Sequence, residues 1–203
     1  DRRDIVTEHD KAAEVIIVDQ LLTKEPNSQV VGEEGGAQGQ GDLKWFVDPI
    51  DGTANFACGL PSWCVSIGAV LNDEIIAGAI WDPMGSNMFS ADASGAYRGD
   101  RLLKTQAMPD QADATLLASY PSARDLVADG KEVALDRFGR LMEGFSSVRR
   151  NGSAALGIAH VAAGWADGAI GVGINPWDVA AAILILEKSG GIYRPINWDA
   201  EKR

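Results

Sequence analysis

The sequence predicts a layered fold of the α/β or α+β type, and three observations carry that prediction. Residues 28–104 read as short strands punctuated by glycines, whereas the residues after them alternate strands with helices. The chain has 203 residues, 46% hydrophobic and 23% charged, enough to bury one large core or two small ones. Apolar stretches such as Val179 to Leu186 fall far short of the roughly 20 residues a membrane span needs, and no repeat or low-complexity tract intervenes.

The elements follow in order. "VTEHDKAAEVIIVDQLLTKEP" reads as a helix with Thr7 as N-cap and Asp10 three residues on. Its apolar residues are Val15, Ile16, Val18, Leu21 and Leu22, and Pro26 stops it. "SQVVGEE" is a short strand running into acids, "GGAQGQGD" a glycine-rich loop, and "LKWFVD" a second strand. "WCVSIGAVLNDEIIAGAIWDP" gives two strands joined by a turn at Asn72-Asp73, and "GSNMFSADASGAYRGDRLLK" continues with short strands. A polar stretch from Lys104 to Ala114, carrying Pro109, marks a boundary between an α+β unit, residues 1–107, and an α/β unit, residues 108–203, within one compact body. In the second unit "TLLASYP" is a strand and "DGKEVALDRFGRLMEGF" a helix after a loop. "SSVRRNGSAALGIAHVAAGWADGAIGV" reads as strand, Gly-Ser turn, alanine-rich helix and strand. "NPWDVAAAILILEKSGG" is a helix opened by Asp178 and ended by a double glycine.

With 29 acidic against 18 basic residues the net charge is −11, which disfavours nucleic acid and anionic membrane as partners. A local anion site stays open, because a metal or a helix N-terminus supplies positive potential inside an acidic protein. Cys58 and Cys64 form no C-x-x-C pair, so a disulfide scaffold or zinc knuckle is not expected and a reducing cytoplasm is. The histidines His9 and His160 lie far apart, so a metal would be held mainly by oxygen, favouring magnesium, calcium or manganese over zinc.

Carboxylates stand where apolar segments end: Glu33 and Glu34, Asp48 and Asp51, and Asp178. Pro49 biases Asp48 toward an extended backbone and stiffens the turn after it. Asp48 and Asp51 can then aim at one point with the Ile50 carbonyl exposed between them. Such like charges disfavour each other's ionisation unless a cation compensates. A hard divalent ion does so, and several acids support a two-metal site for in-line phosphoryl displacement. Backbone N–H groups of Gly52 and Thr53 then offer a phosphate seat, Thr53 can orient a water, and Asp10 can accept its proton.

Each feature alone has an ordinary reading: Asp-Gly as a turn, Asp10 as the end of a capping box, Asp178 as an N-cap, Glu33-Glu34 as a solvated pair. Their joint order is what favours a site. Rival motifs fail on spacing. Counting from Asp48, the twelfth residue is Gly59 rather than the glutamate an EF-hand loop requires, and no G-x-x-x-x-G-K-[ST] loop occurs. The D-x-D-G-T of aspartyl-phosphate phosphatases has its acids two apart, not three with a proline inside.

"VTEHD", "GEE", "WFVDPIDGTANF", "RRNGSAALGIAHVAAG" and "NPWDVAAA…SGG" resemble, in order and spacing over nearly the whole chain, the inositol monophosphatase family of magnesium-dependent, lithium-sensitive phosphatases. The resemblance implies a layered α-β-α-β-α sandwich, commonly a homodimer, acting on a small phosphorylated substrate. It implies two or three magnesium ions, replaceable by manganese and inhibited by calcium or lithium. Glu33, Asp48, the Ile50 carbonyl, Asp51 and Asp178 would be metal ligands, with Glu34 supporting them. Thr53, Asp10 and Glu33 would position and activate the water. Asp51, Gly52, Thr53, Ser153, Ala154 and Asp178 would meet the substrate. Family members also carry an N-terminal helix and a C-terminal strand and helix that this sequence does not show, and Ala54 replaces a usual threonine. Inositol-type members place a glutamate where this chain has Gly171, so myo-inositol phosphate is not singled out. The activity expected is a phosphomonoesterase for a small polyol or sugar phosphate. A fructose-bisphosphate, histidinol-phosphate or nucleotide 3′-phosphate phosphatase, or a regulatory binding protein with incidental catalysis, are the alternatives.

Overall fold

The computed structural model describes residues 7–195. The outermost residues of both expected units lie outside that range.

Helix α1 (Glu8–Lys24) begins with the capping box read from the sequence: Thr7 accepts from the Asp10 amide, and the Asp10 carboxylate accepts from the Thr7 amide. Its buried face is Asp10, Glu14 and Val18, one residue per turn, while Val15 and Ile16 are 68% and 63% exposed. Two residues of the apolar run, Val15 and Ile16, therefore face solvent, and α1 turns buried acids toward the protein beside Val18. Val18 joins Val30, Val47, Ile17, Leu21 and Leu22 in a small core on one face of the large sheet.

That sheet orders its strands β2-β1-β3-β4-β5-β6-β7-β8. β1 (Ser28–Gly32) and β3 (Leu43–Asp51) run parallel. The glycine-rich segment between them holds strand β2 (Gly36–Gly39), not simply a loop: it pairs antiparallel with β1 as a fully exposed edge, where glycine needs no packing partner. β4 (Cys64–Leu71) and β5 (Glu74–Asp82) form the expected hairpin, with positive φ at Asn72 and Asp73. β6 (Asn87–Asp92), β7 (Gly95–Arg98) and β8 (Arg101–Leu102) complete the sheet as a meander.

A second sheet, β9 (Thr115–Ala118), β10 (Ser147–Arg149) and β11 (Gly168–Ile170), is all parallel in the order β10-β9-β11. Between β9 and β10 lie α3 (Ala123–Ala128) and α4 (Lys131–Gly144). The segment before α4, expected as a loop, is helical because Ser122 and Asp125 build a capping box there. Asp129 then joins α3 to α4 by accepting from the Tyr120 hydroxyl at 3.0 Å and from Arg137 at 2.6 Å.

Helices α5 (Ala154–Ala162) and α6 (Pro176–Lys188) share one core with both sheets, through Ile80, Phe89 and Leu117. Each fully buried side chain of that size contributes about 1.5–3 kcal/mol. The layers are thus α1, the large sheet, α5 with α6, the small sheet, and α3 with α4. α6 lies almost against the sheet backbone. A Cβ on Gly68 would stand 2.7 Å from Ala180 Cβ, and one on Gly78 would stand 2.8 Å from Ala181 Cα. The sequence reading placed Asp178 at the cap of α6. It is instead the third residue, with Asn175 as N-cap and Pro176 following it.

Candidate active site

Parallel strands gather functional groups at their C-terminal ends. Here both sheets point such ends at one cleft of about 620 Å³. Glu33 follows β1, and Asp48, Ile50 and Asp51 end β3. Ser119, Arg150 and Val172 follow β9, β10 and β11 on the opposite side. Gly52, Thr53, Ala154 and Asp178 also line it, from the first turns of α2 (Thr53–Cys58), α5 and α6.

Pro49 stiffens the end of β3, and the pairing register slips between Asp48 and Asp51. Asp48 is buried and accepts from the Ile50 amide at 2.9 Å. The Ile50 carbonyl accepts from the Thr53 hydroxyl at 3.0 Å. Gly52 takes φ 95°, which lets the chain turn from β3 into α2; a Cβ there would also stand 2.9 Å from the Ser62 carbonyl oxygen. Asp51 is held by the start of α5, accepting from the Ser153 hydroxyl at 2.5 Å, the Ala155 amide at 2.7 Å and the Ala154 amide at 3.2 Å. A carboxylate at a helix start is stabilised by its N–H groups and dipole.

The carboxylates strain against one another. Burial, then the charges of Asp178 and Glu34, push Glu33 up to about 7. Burial, then Asp51 and Glu33, push Asp48 up to about 10. Burial lifts Asp51 to about 6, held there by the Ser153 hydroxyl and the Ala155 amide. Burial raises Asp178 as well. A carboxyl pair in this state calls for a compensating cation or keeps its protons.

The residues expected at a site are not all in the cleft. Ser153 sits behind it, bonded to Asp51, and Glu34 and Asp10 do not line it. Asp10 is wholly buried, and its Oδ1 has no hydrogen-bond partner among the described residues. The His9 ring stands 5.6 Å from that of Phe56, setting the start of α1 beside α2. Glu14, overlooked in the sequence, is buried one turn beyond Asp10 and accepts from the Glu34 amide at 2.9 Å and the Gly35 amide at 2.6 Å. Its spacing from Asp10 was the available signal. Ser119 and Arg150 were also overlooked: no motif marks Ser119, and Arg150 stands in a stretch whose G-S-A-A helix start drew the reading.

Glu14 ties α1 to the turn that carries Glu33. Glu14→Ala leaves those amides without an acceptor and is expected to cost about 2 kcal/mol of stability, the range for hydrogen bonds to a charged group. Thermal unfolding measures this, and amide exchange at Glu34 and Gly35 should quicken before the rest of the sheet.

The all-oxygen set of Glu33, Asp48, Asp178 and the Ile50 carbonyl suits a hard divalent ion in chemistry. Among the described residues, however, no group of three or more His, Cys, Asp or Glu stands ready to hold a metal.

The model of one family, described as the inositol monophosphatase family, matches residues 1–199. The chain belongs to the inositol monophosphatase family. The family's members similar to it include the Nus factor SuhB of Xylella fastidiosa, 37% identical over 94% of this chain and 68% of the relative. The fructose-1,6-bisphosphatase/inositol-1-monophosphatase of Aquifex aeolicus is 35% identical over 94% of this chain and 72% of its own length. Among solved structures, the inositol monophosphatase of Anabaena is similar with a TM-score of 0.84 and 34% identity, covering 93% of this chain and 75% of that one. As a member of the inositol monophosphatase family, the chain is a phosphomonoesterase of mixed α/β fold. No helix among the described residues is long and apolar enough to cross a membrane.

Proposed function

We propose that the protein hydrolyses a small polyol or sugar phosphate with magnesium as cofactor, manganese substituting and calcium or lithium inhibiting. The observation that carries this is the mutually repelling carboxylate wall at the convergent strand ends, with Asp48 and Asp51 buried in it. Glu33, Asp48, the Ile50 carbonyl, Asp51 and Asp178 are the proposed ligands, with Glu34 supporting them from the same turn. When bound, the metal lowers the pKa of a water and offsets charge on the phosphoryl oxygens.

The chain's own residues then orient the reaction. Thr53, whose hydroxyl is anchored on the Ile50 carbonyl, positions the water, and Asp10, buried behind the cleft, is the proposed final acceptor of its proton by relay. Backbone N–H groups at Gly52 and Thr53 meet the phosphate. The α5 start meets the alcohol part through Ala154, with Ser153 behind it holding Asp51, and Asp51 and Asp178 border both. Residues 1–107 supply every proposed ligand but Asp178, and residues 108–203 supply Asp178 and the alcohol-side wall. A homodimer is the proposed assembly, and the cytoplasm the proposed location.

Phosphate release from inositol 1-phosphate, fructose 1,6-bisphosphate, histidinol phosphate and a nucleotide 3′-phosphate, with and without magnesium and lithium, tests this reading. Turnover of at least one ester, magnesium-dependent and lithium-inhibited, is expected. Release of none would reject it. The Nus factor name of a relative favours a second reading, a regulatory binding role beside catalysis. Capture of the same partner by wild type and an inactive variant would support that role.

The carboxylate shifts also fix a pH dependence. An acid whose folded pKa is raised keeps its proton in the folded state after the unfolded chain has lost it. The metal-free protein is then most stable below the ordinary carboxylate range. It loses stability as pH rises from about 4, with the Glu33 share complete above about 7. Thermal melts in chelator should fall from pH 5 to pH 8, and magnesium should reverse the fall at pH 8. A melting temperature that rose over that range would contradict the shifts.

A further inference from the structure

The cleft has walls of opposite electrical character. Glu33, Asp48, Asp51 and Asp178 crowd one side. The side built by the ends of β9, β10 and β11 presents Ala118, Ser119, Val172, Gly173 and Ile174, and its one charged lining residue is Arg150. Arg150 is exposed, follows the last residue of β10 directly, and forms no ion pair among the described residues. No carboxylate stands on this wall to meet it. At Gly171 the Ile174 side chain occupies the space, since a Cβ there would fall 2.1 Å from Ile174 Cδ1. A guanidinium left unpaired beside a cleft is a fork of donors suited to a carboxylate or phosphate.

We propose that Arg150 binds a second anionic group on the alcohol part of the substrate, so that the favoured esters carry a further phosphate or carboxylate. This deepens the phosphatase reading and rests on it. A neutral polyol leaves Arg150 unused, whereas a bisphosphate places one phosphate at the acid wall and the other at the fork. Specificity then comes from charge complementarity on the wall opposite the chemistry.

The test compares wild type with Arg150→Gln on inositol 1-phosphate, fructose 1,6-bisphosphate and 3-phosphoglycerate, separating kcat from KM. The bisphosphate and the carboxylate-bearing ester distinguish which second anion is read. Expected is a KM increase of about tenfold for at least one doubly anionic ester, with kcat held and the inositol 1-phosphate KM within about twofold, the size of one charge-assisted contact. An equal change on all esters, or none, would overturn the subsite. Calorimetric binding of the same esters in magnesium buffer is read alongside. An Arg150-dependent preference in binding without any phosphate release would reject the phosphatase reading and keep the subsite. Turnover without that preference would do the reverse.

Discussion

Asp48→Asn is expected to lower phosphate release about a thousandfold or more while raising the stability of the metal-free protein. The two effects share one origin. Asp48 is buried, its ionised form is opposed by burial and by Asp51 and Glu33, and its carboxyl is pushed up to about 10. Asparagine keeps the Oδ1 that accepts from the Ile50 amide and carries no charge to bury. The metal-free fold therefore gains. The proposed cofactor loses a ligand, and Lewis-acid stabilisation worth several kcal/mol corresponds to that loss of rate. Steady-state kinetics and melts in chelator measure both. A variant that was inactive and also less stable than wild type in chelator would show that Asp48 serves the fold.

Gly78→Val is the second large effect, on stability first. The added Cβ would stand 2.8 Å from both Ala181 Cα and the Ala181 carbonyl oxygen, and backbone on both sides leaves no flexible end to yield. Forced overpacking of this kind costs about 1–3 kcal/mol, and valine is bulkier than a single methyl. α6 must lift, and it carries Asp178 in its first turn. Activity per folded molecule should fall with stability. Gly68→Val, against Ala180 and Ala181, should repeat the result, whereas a valine at exposed Gly99, where nothing stands within 4 Å, strains only its own positive φ and should leave activity unchanged. Denaturant unfolding with activity measured below the transition separates the effects. A Gly78→Val protein of wild-type stability would mean that α6 does not rest on the sheet as described.

How much of this could be read from residues alone depends on the range of the forces involved. Strand, turn and cap signals are local, so the β4–β5 hairpin at Asn72-Asp73, the Thr7 cap and the strands β3 and β9 were legible. β2 was not, because glycine carries no strand signal and only pairing with β1 makes it one. α3 was hidden by its brevity, although Ser122 and Asp125 spell its cap. The burial of Asp10 and Glu14 on α1 was not legible, because it answers to groups elsewhere: Glu14 bonds the Glu34 and Gly35 amides.

The same division holds at the cleft. Glu33, Asp48, Asp51 and Asp178 announce themselves as acids at the ends of apolar segments, and the structure brings them to one wall. Asp51's hold on the start of α5 could not be read, since it spans more than a hundred residues of sequence and exists only when both sheets are in place. Arg150 and Ser119 gain meaning only as neighbours across the cleft. The opposition of the two walls is a tertiary property.

The most direct measurement is phosphate release by protein stripped with chelator and titrated with magnesium, at pH 8, on the best ester of the panel. The expected result is negligible release without metal and saturable recovery with magnesium, lost in Asp48→Asn. Full activity of the stripped protein, or undiminished magnesium-dependent release by Asp48→Asn, would contradict a carboxylate wall that works by holding metal.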